Sequence, residues 1–161
     1  MKYLSALLFL FLLACGNGEG DAAEVAGERA VTAAQETAYQ LMMDGHDRVM
    51  PMMGRITAAQ RTITEQLTTG GHGEDYRELL LAANEQLEDA NDAMMDWMNN
   101  NRPLQELQED MDSDEVMDHI RDRTRSIADV EADIKTSLAN ADEILGEVDH
   151  AHDDAGGDHN H

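Results

Sequence analysis

The 161-residue chain has a single cysteine, two prolines, one tryptophan and only two lysines, Lys2 and Lys135. One cysteine excludes any disulfide within the chain. With aromatics at 4 %, a core has to be built from Leu, Ile, Val, Met and Ala, which suits closely packed helices. Basic side chains number 11 against 34 acidic ones, a formal net charge of −23. That balance argues against nucleic acid as a partner and against adsorption on an anionic lipid surface. Such an acidic, lysine-poor bias resembles proteins of salty habitats, where carboxylates hold water. No phosphate-cradling glycine loop, Ser-His-Asp arrangement or helical His-Glu-x-x-His is present. Di-iron bundles need Glu-x-x-His on two helices, whereas Glu115 and His119 are four apart and occur once. The expectation is a protein that is not an enzyme.

The only long apolar run lies at the start. Met1-Lys2 is followed by apolar residues from Tyr3 to Leu13 and then by Leu12-Leu13-Ala14-Cys15. A charged start, about 11 apolar residues and a small residue before the cut mark a secretory signal, too short to span a bilayer comfortably. The Leu-Leu-Ala-Cys ending resembles the bacterial lipobox, in which the cysteine is acylated and becomes the first residue. The resemblance implies a signal peptide over 1–14, lipidation of Cys15 and a membrane anchor stabilised by about 0.8 kcal/mol per buried methylene. Gly16 stands where an inner-membrane retention signal has aspartate, so the expected address is the outer membrane, lipid-anchored in the cell envelope. The remaining 147 residues suit one domain and carry a formal charge of −24, since Lys2 is the one charged residue removed.

Periodicity then sets the architecture. Residues 15–21 read as a glycine-rich tether. Residues 22–68 read as a first helix, interrupted at Gly45 and Pro51, where a kink or a break into two helices is expected because proline removes one backbone bond. Its seam is Met42, His46, Val49, Met53, Ile56, Gln60, Ile63 and Leu67. After a Gly-rich turn, a second helix over 74–100 repeats Tyr76, Leu80, Ala83, Leu87, Ala90, Met94 and Trp97. Pro103 ends it, and a polar loop follows. Asp112 caps a third helix over 113–146, with Glu115 at the capping-box position. Its seam is Val116, Ile120, Ile127, Val130, Ile134, Leu138, Ala141, Leu145 and Val148, with the step at Arg123 skipped. Sustained three-four spacing predicts an all-α, antiparallel, coiled-coil-like three-helix bundle with a long first helix, or four helices if that helix breaks at Pro51. The bundle is expected over 22–148 and a disordered His/Asp-rich tail over 149–161. Turns centred near residues 71 and 106 put His46 opposite Trp97, and Trp97 level with Val116. Residues 22–41 are left unpaired, as a stalk or a surface for self-association.

Two groups invite a metal reading. Five of the eleven methionines fall within "LMMDGHDRVMPMMG", residues 41–54, and three more within "AMMDWM", residues 93–98. Thioether sulfur and imidazole suit Cu(I). His46 and Met50 share one helical face, as do Met94 and Met98, so His46, Met50, Met94, Trp97, Met98 and His119 form a candidate copper site at one bundle end. The competing reading is that methionine fills irregular core space. In the tail, His150, His152, His159 and His161 among aspartates suit zinc, nickel or copper(II) in a flexible site.

"HDRVMPMMGRI" (46–56), "DAMMDWM" (92–98) and "DEVMDHI" (114–120) together resemble a group of small bacterial helical lipoproteins sometimes labelled "viral A-type inclusion protein". The likeness covers roughly 40–145. It implies a helical lipoprotein and carries no activity and no functional residue with it.

Overall fold

A computed structural model describes residues 18–71 and 73–154, with side-chain surroundings over 22–71 and 73–146. Within that span lie four helices: α1 (Gly18–Thr69), α2 (Glu74–Asn99), α3 (Leu104–Asp110) and α4 (Ser113–Asp154). The signal segment, Cys15, His159 and His161 lie outside the described residues.

The fold is an all-α bundle, as the three-four spacing requires. Every residue of the predicted α2 seam from Leu80 to Trp97 is buried, and so are Met42, Val49, Ile56 and Ile63 of α1. From α4 come Val116, Ile120, Ile127, Val130, Ile134, Leu138 and Ala141. Gly70 and Gly71 turn the chain between α1 and α2 with φ of 74° and 89°, a left-handed region that favours glycine. The capping box at the start of α4 forms as read. Asp112 Oδ1 accepts the backbone N–H groups of Asp114 and Glu115 at 3.0 Å, and Glu115 Oε2 accepts that of Asp112 at 3.1 Å.

α1 and α4 run parallel as neighbours. Gly45 packs on Ile127, Arg48 reaches Glu131 and Arg55 reaches Asp142. α2 runs antiparallel to both, with Ser137 donating to the Gln86 carbonyl and Tyr76 to the Ile144 carbonyl.

Four expectations need correction. α1 passes through Pro51 as one continuous long helix, as the three-helix alternative has it, so a fourth helix does not arise there. It arises in the supposed polar loop, where α3 docks by Leu107, which is fully buried. α1 begins at Gly18, inside the expected tether, and α4 runs to Asp154, past the expected end at 146 and through His150 and His152. Residues 35–41 are not unpartnered. Gln35 is buried, donating to the Ser113 carbonyl at 3.3 Å and accepting from Gln108 at 2.9 Å, while the Tyr39 hydroxyl donates to the Arg102 carbonyl at 3.1 Å. Finally, Trp97 stands level with Arg123 rather than Val116, because α3 extends the connection and moves the second turn outward.

Candidate functional site

The centre of the candidate copper site is the α1–α2 crossing at His46 and Trp97, and here the sequence register holds. The two rings stack with centroids 5.7 Å apart and an interplanar angle of 26°. They meet because both positions lie on core seams, and Gly70-Gly71 brings α2 back against α1. His46 Nδ1 lies 2.9 Å from Asp47 Oδ1 on its own helix, and its side chain is 19 % exposed.

α4 supplies what the sequence reading passed over. The skipped step in its seam is Arg123, and that side chain covers Trp97. Its guanidinium carbon lies 4.8 Å from the indole centroid. The Trp97 indole N–H donates to the Arg123 carbonyl at 3.1 Å, and the Arg123 guanidinium donates back to the Trp97 carbonyl. The cation–π position on the tryptophan is thus filled by the protein's own arginine. Burial lowers the Arg123 pKa from the ordinary guanidinium value. The only signal in the sequence was its place, a charged residue where the three-four rhythm calls for an apolar one.

Met94 is fully buried in the core, Met98 packs against it, and Met50 is 39 % exposed on α1. His119 is displaced. The register that sets Gly45 against Ile127 puts His119 level with Thr37, about two and a half turns along the bundle from His46. Its Nε2 is buried without a hydrogen-bond partner. Burial, then Arg123, then Arg102 push its pKa below the ordinary 6.5, with Asp122 opposing. The same two guanidinium groups repel a metal cation. Met43 receives the Asn101 amide at 3.6 Å, and Met117 lines a surface groove.

Among the described residues no group of three or more His, Cys, Asp or Glu side chains is placed to hold a metal ion. His150 and His152 fall on α4, with side chains outside the described set. Among the described residues no helix is long and apolar enough to cross a membrane. Comparison with family models, curated proteins and solved structures found no match in any of the three.

Proposed function

We propose that this chain is an envelope lipoprotein, held in the outer membrane by an acylated Cys15, and that its helical bundle serves as a non-enzymatic structural or interaction module. The anchor rests on the Leu12-Leu13-Ala14-Cys15 ending and on the resemblance to helical lipoproteins. The observation that carries the interaction reading is the closure of the Trp97 cluster on itself. Arg123 occupies the ring face and both backbone carbonyls are satisfied. Met42 and Met94, the seam methionines nearest that cluster, are spent in core packing at 1 % and 0 % exposure. Soft donors buried among apolar side chains are stable as packing and would have to leave the core to ligate an ion.

A second reading keeps copper. His46 and Met50 lie one turn apart with part of each side chain open to solvent. That is a two-donor foothold for Cu(I).

One experiment separates the readings. The purified chain is titrated with Cu(I) under anaerobic reducing conditions, following Trp97 fluorescence, next to a copy ending at Val148. The interaction reading expects no saturable quenching in the shortened copy. Stoichiometric quenching that disappears in His46→Ala or Met50→Leu would overturn it in favour of copper handling. The anchor is tested separately by the mass of the N-terminal peptide from membranes. Diacylglycerol on Cys15, and loss of membrane attachment in Cys15→Ser, is the expected result.

A further inference from the structure

Met43 and Tyr39 lie one turn apart on α1 and meet the same residue of the α2–α3 connection. The Asn101 side-chain amide donates to the Tyr39 hydroxyl at 3.5 Å and to Met43 Sδ at 3.6 Å. The Tyr39 hydroxyl in turn donates to the Arg102 carbonyl at 3.1 Å, and the Arg102 guanidinium reaches Glu106 and Asp110 of α3. These contacts tie α3 to α1. Asn101 is their weakest point, because both of its bonds are long and thioether sulfur is a weak acceptor.

That donor sets Met43 apart from the other methionines. Among the described residues it is the one methionine whose sulfur accepts a hydrogen bond. Met42 and Met94 are buried among apolar side chains, where an added oxygen would be left without a donor. Met50 and Met95 are exposed, so an oxygen added there meets water and fastens nothing. Met43 is half-buried, open to a small oxidant and still bonded to its neighbour.

We propose that Met43 is a site of reversible oxidation by peroxides, and that its sulfoxide oxygen takes the Asn101 amide and fastens the α2–α3 connection to α1. In the step, the sulfur lone pair attacks one peroxide oxygen, the O–O bond breaks, and the leaving oxygen takes a proton, giving water from hydrogen peroxide. Sulfur loses two electrons and the peroxide gains them. A sulfoxide oxygen is a far stronger acceptor than a thioether. With the bond bent at that oxygen, sulfur and amide nitrogen need to part by only a few tenths of an ångström, which the flexible methionine side chain allows. A dithiol reverses the step through methionine sulfoxide reductases, the oxygen leaving as water.

The inference goes beyond the proposed function and rests on neither the anchor nor the copper reading. Methionine oxidation inside a core loosens it. Here the waiting amide gives the opposite sign, and α3 docks more tightly in the oxidised chain.

The test treats the full-length chain with hydrogen peroxide in parallel with Met43→Leu and Asn101→Ala, each variant checked for its fold by circular dichroism. Peptide mass mapping is expected to find sulfoxide at Met43 as well as at Met50 and Met95, while Met42 and Met94 stay reduced. The backbone amides of Leu107 and Met111 close α3 with bonds of 3.2 and 3.0 Å. Their hydrogen exchange should slow about fivefold on oxidation of the natural chain. It should return to its former rate after reduction by the two epimer-specific reductases with dithiothreitol, and oxidation should not slow it in either variant. Met43 still reduced once Met50 and Met95 are fully oxidised, exchange that does not slow, or slowing that persists in Met43→Leu or Asn101→Ala would overturn the inference.

Discussion

Gly45 shows what a single position decides in this bundle. A Cβ built there would lie 2.9 Å from Ile127 Cγ2, closer than packed carbons tolerate, and Ile127 is itself buried. Glycine in a helix interior ordinarily costs about 1 kcal/mol relative to alanine, so a helix-propensity argument alone predicts that Gly45→Ala stabilises. The contact reverses the sign, because overpacking a filled core typically costs about 1–3 kcal/mol. Gly54, also inside α1, has nothing within 4 Å of its Cβ position. Urea unfolding should therefore show Gly54→Ala stabilised by roughly 0.5–1 kcal/mol and Gly45→Ala destabilised. Equal gains at both positions would mean that α1 and α4 are not this close. From the sequence, Gly45 is legible only as an interruption, since a glycine that breaks a helix and one that admits a neighbour look alike. Arg123 was hidden for a related reason. A charged residue on a seam reads as a lapse in the pattern, whereas here its guanidinium lies on Trp97. The His46–Trp97 stack was legible because both residues keep the seam rhythm across one short turn.

Between elements, legibility decays with the length of the connection. The α1–α2 turn is closed by two glycines, and its register follows from the sequence to within a residue or so. The α2–α4 connection carries α3, whose seven residues, Leu104–Asp110, bury only Leu107. One apolar residue makes no period, so nothing in "LQELQED" distinguishes a docked helix from a polar loop. The missed helix moves the second turn and with it His119, which is why His119 does not fall at the level of the His46–Trp97 pair. α3 is held by Leu107 together with the Gln108–Gln35 and Arg102–Asp110 contacts. Leu107→Ala removes its one fully buried side chain and should cost about 2–4 kcal/mol, somewhat less if α3 collapses into the space. Hydrogen exchange should then show lost protection over α3 and the first turn of α4, with α2 unchanged. If protection were lost evenly across the bundle, α3 would belong to the main cooperative unit and not to a docked clasp.

At the scale of the molecule, repulsion between like charges opposes folding alongside conformational entropy. α2 alone carries eight acidic residues against Arg77. Salt bridges between helices of the three-helix core are confined, among the described residues, to Arg48–Glu131 at 3.5 Å and Arg55–Asp142 at 3.2 Å. Both arginines are more than half exposed, so these pairs contribute little and cannot offset the self-repulsion of a chain at −23. Screening shortens the reach of that repulsion from about 10 Å at 0.1 M salt to about 3 Å at 1 M. The bundle should therefore gain stability with sodium chloride, with Tm rising by roughly 5 °C or more between 0.05 M and 1 M. The control is a chain with Glu88→Gln, Asp89→Asn and Asp92→Asn, three exposed acids of α2. It should start at a higher Tm in low salt and gain less as salt is added. A parallel rise in both proteins would assign the effect to apolar hydration, which salt also strengthens. A fall in Tm would mean that the two interhelical pairs outweigh the repulsion. The convergence of the two curves at high salt is the result that ties the acidic composition to the folding energetics of this bundle.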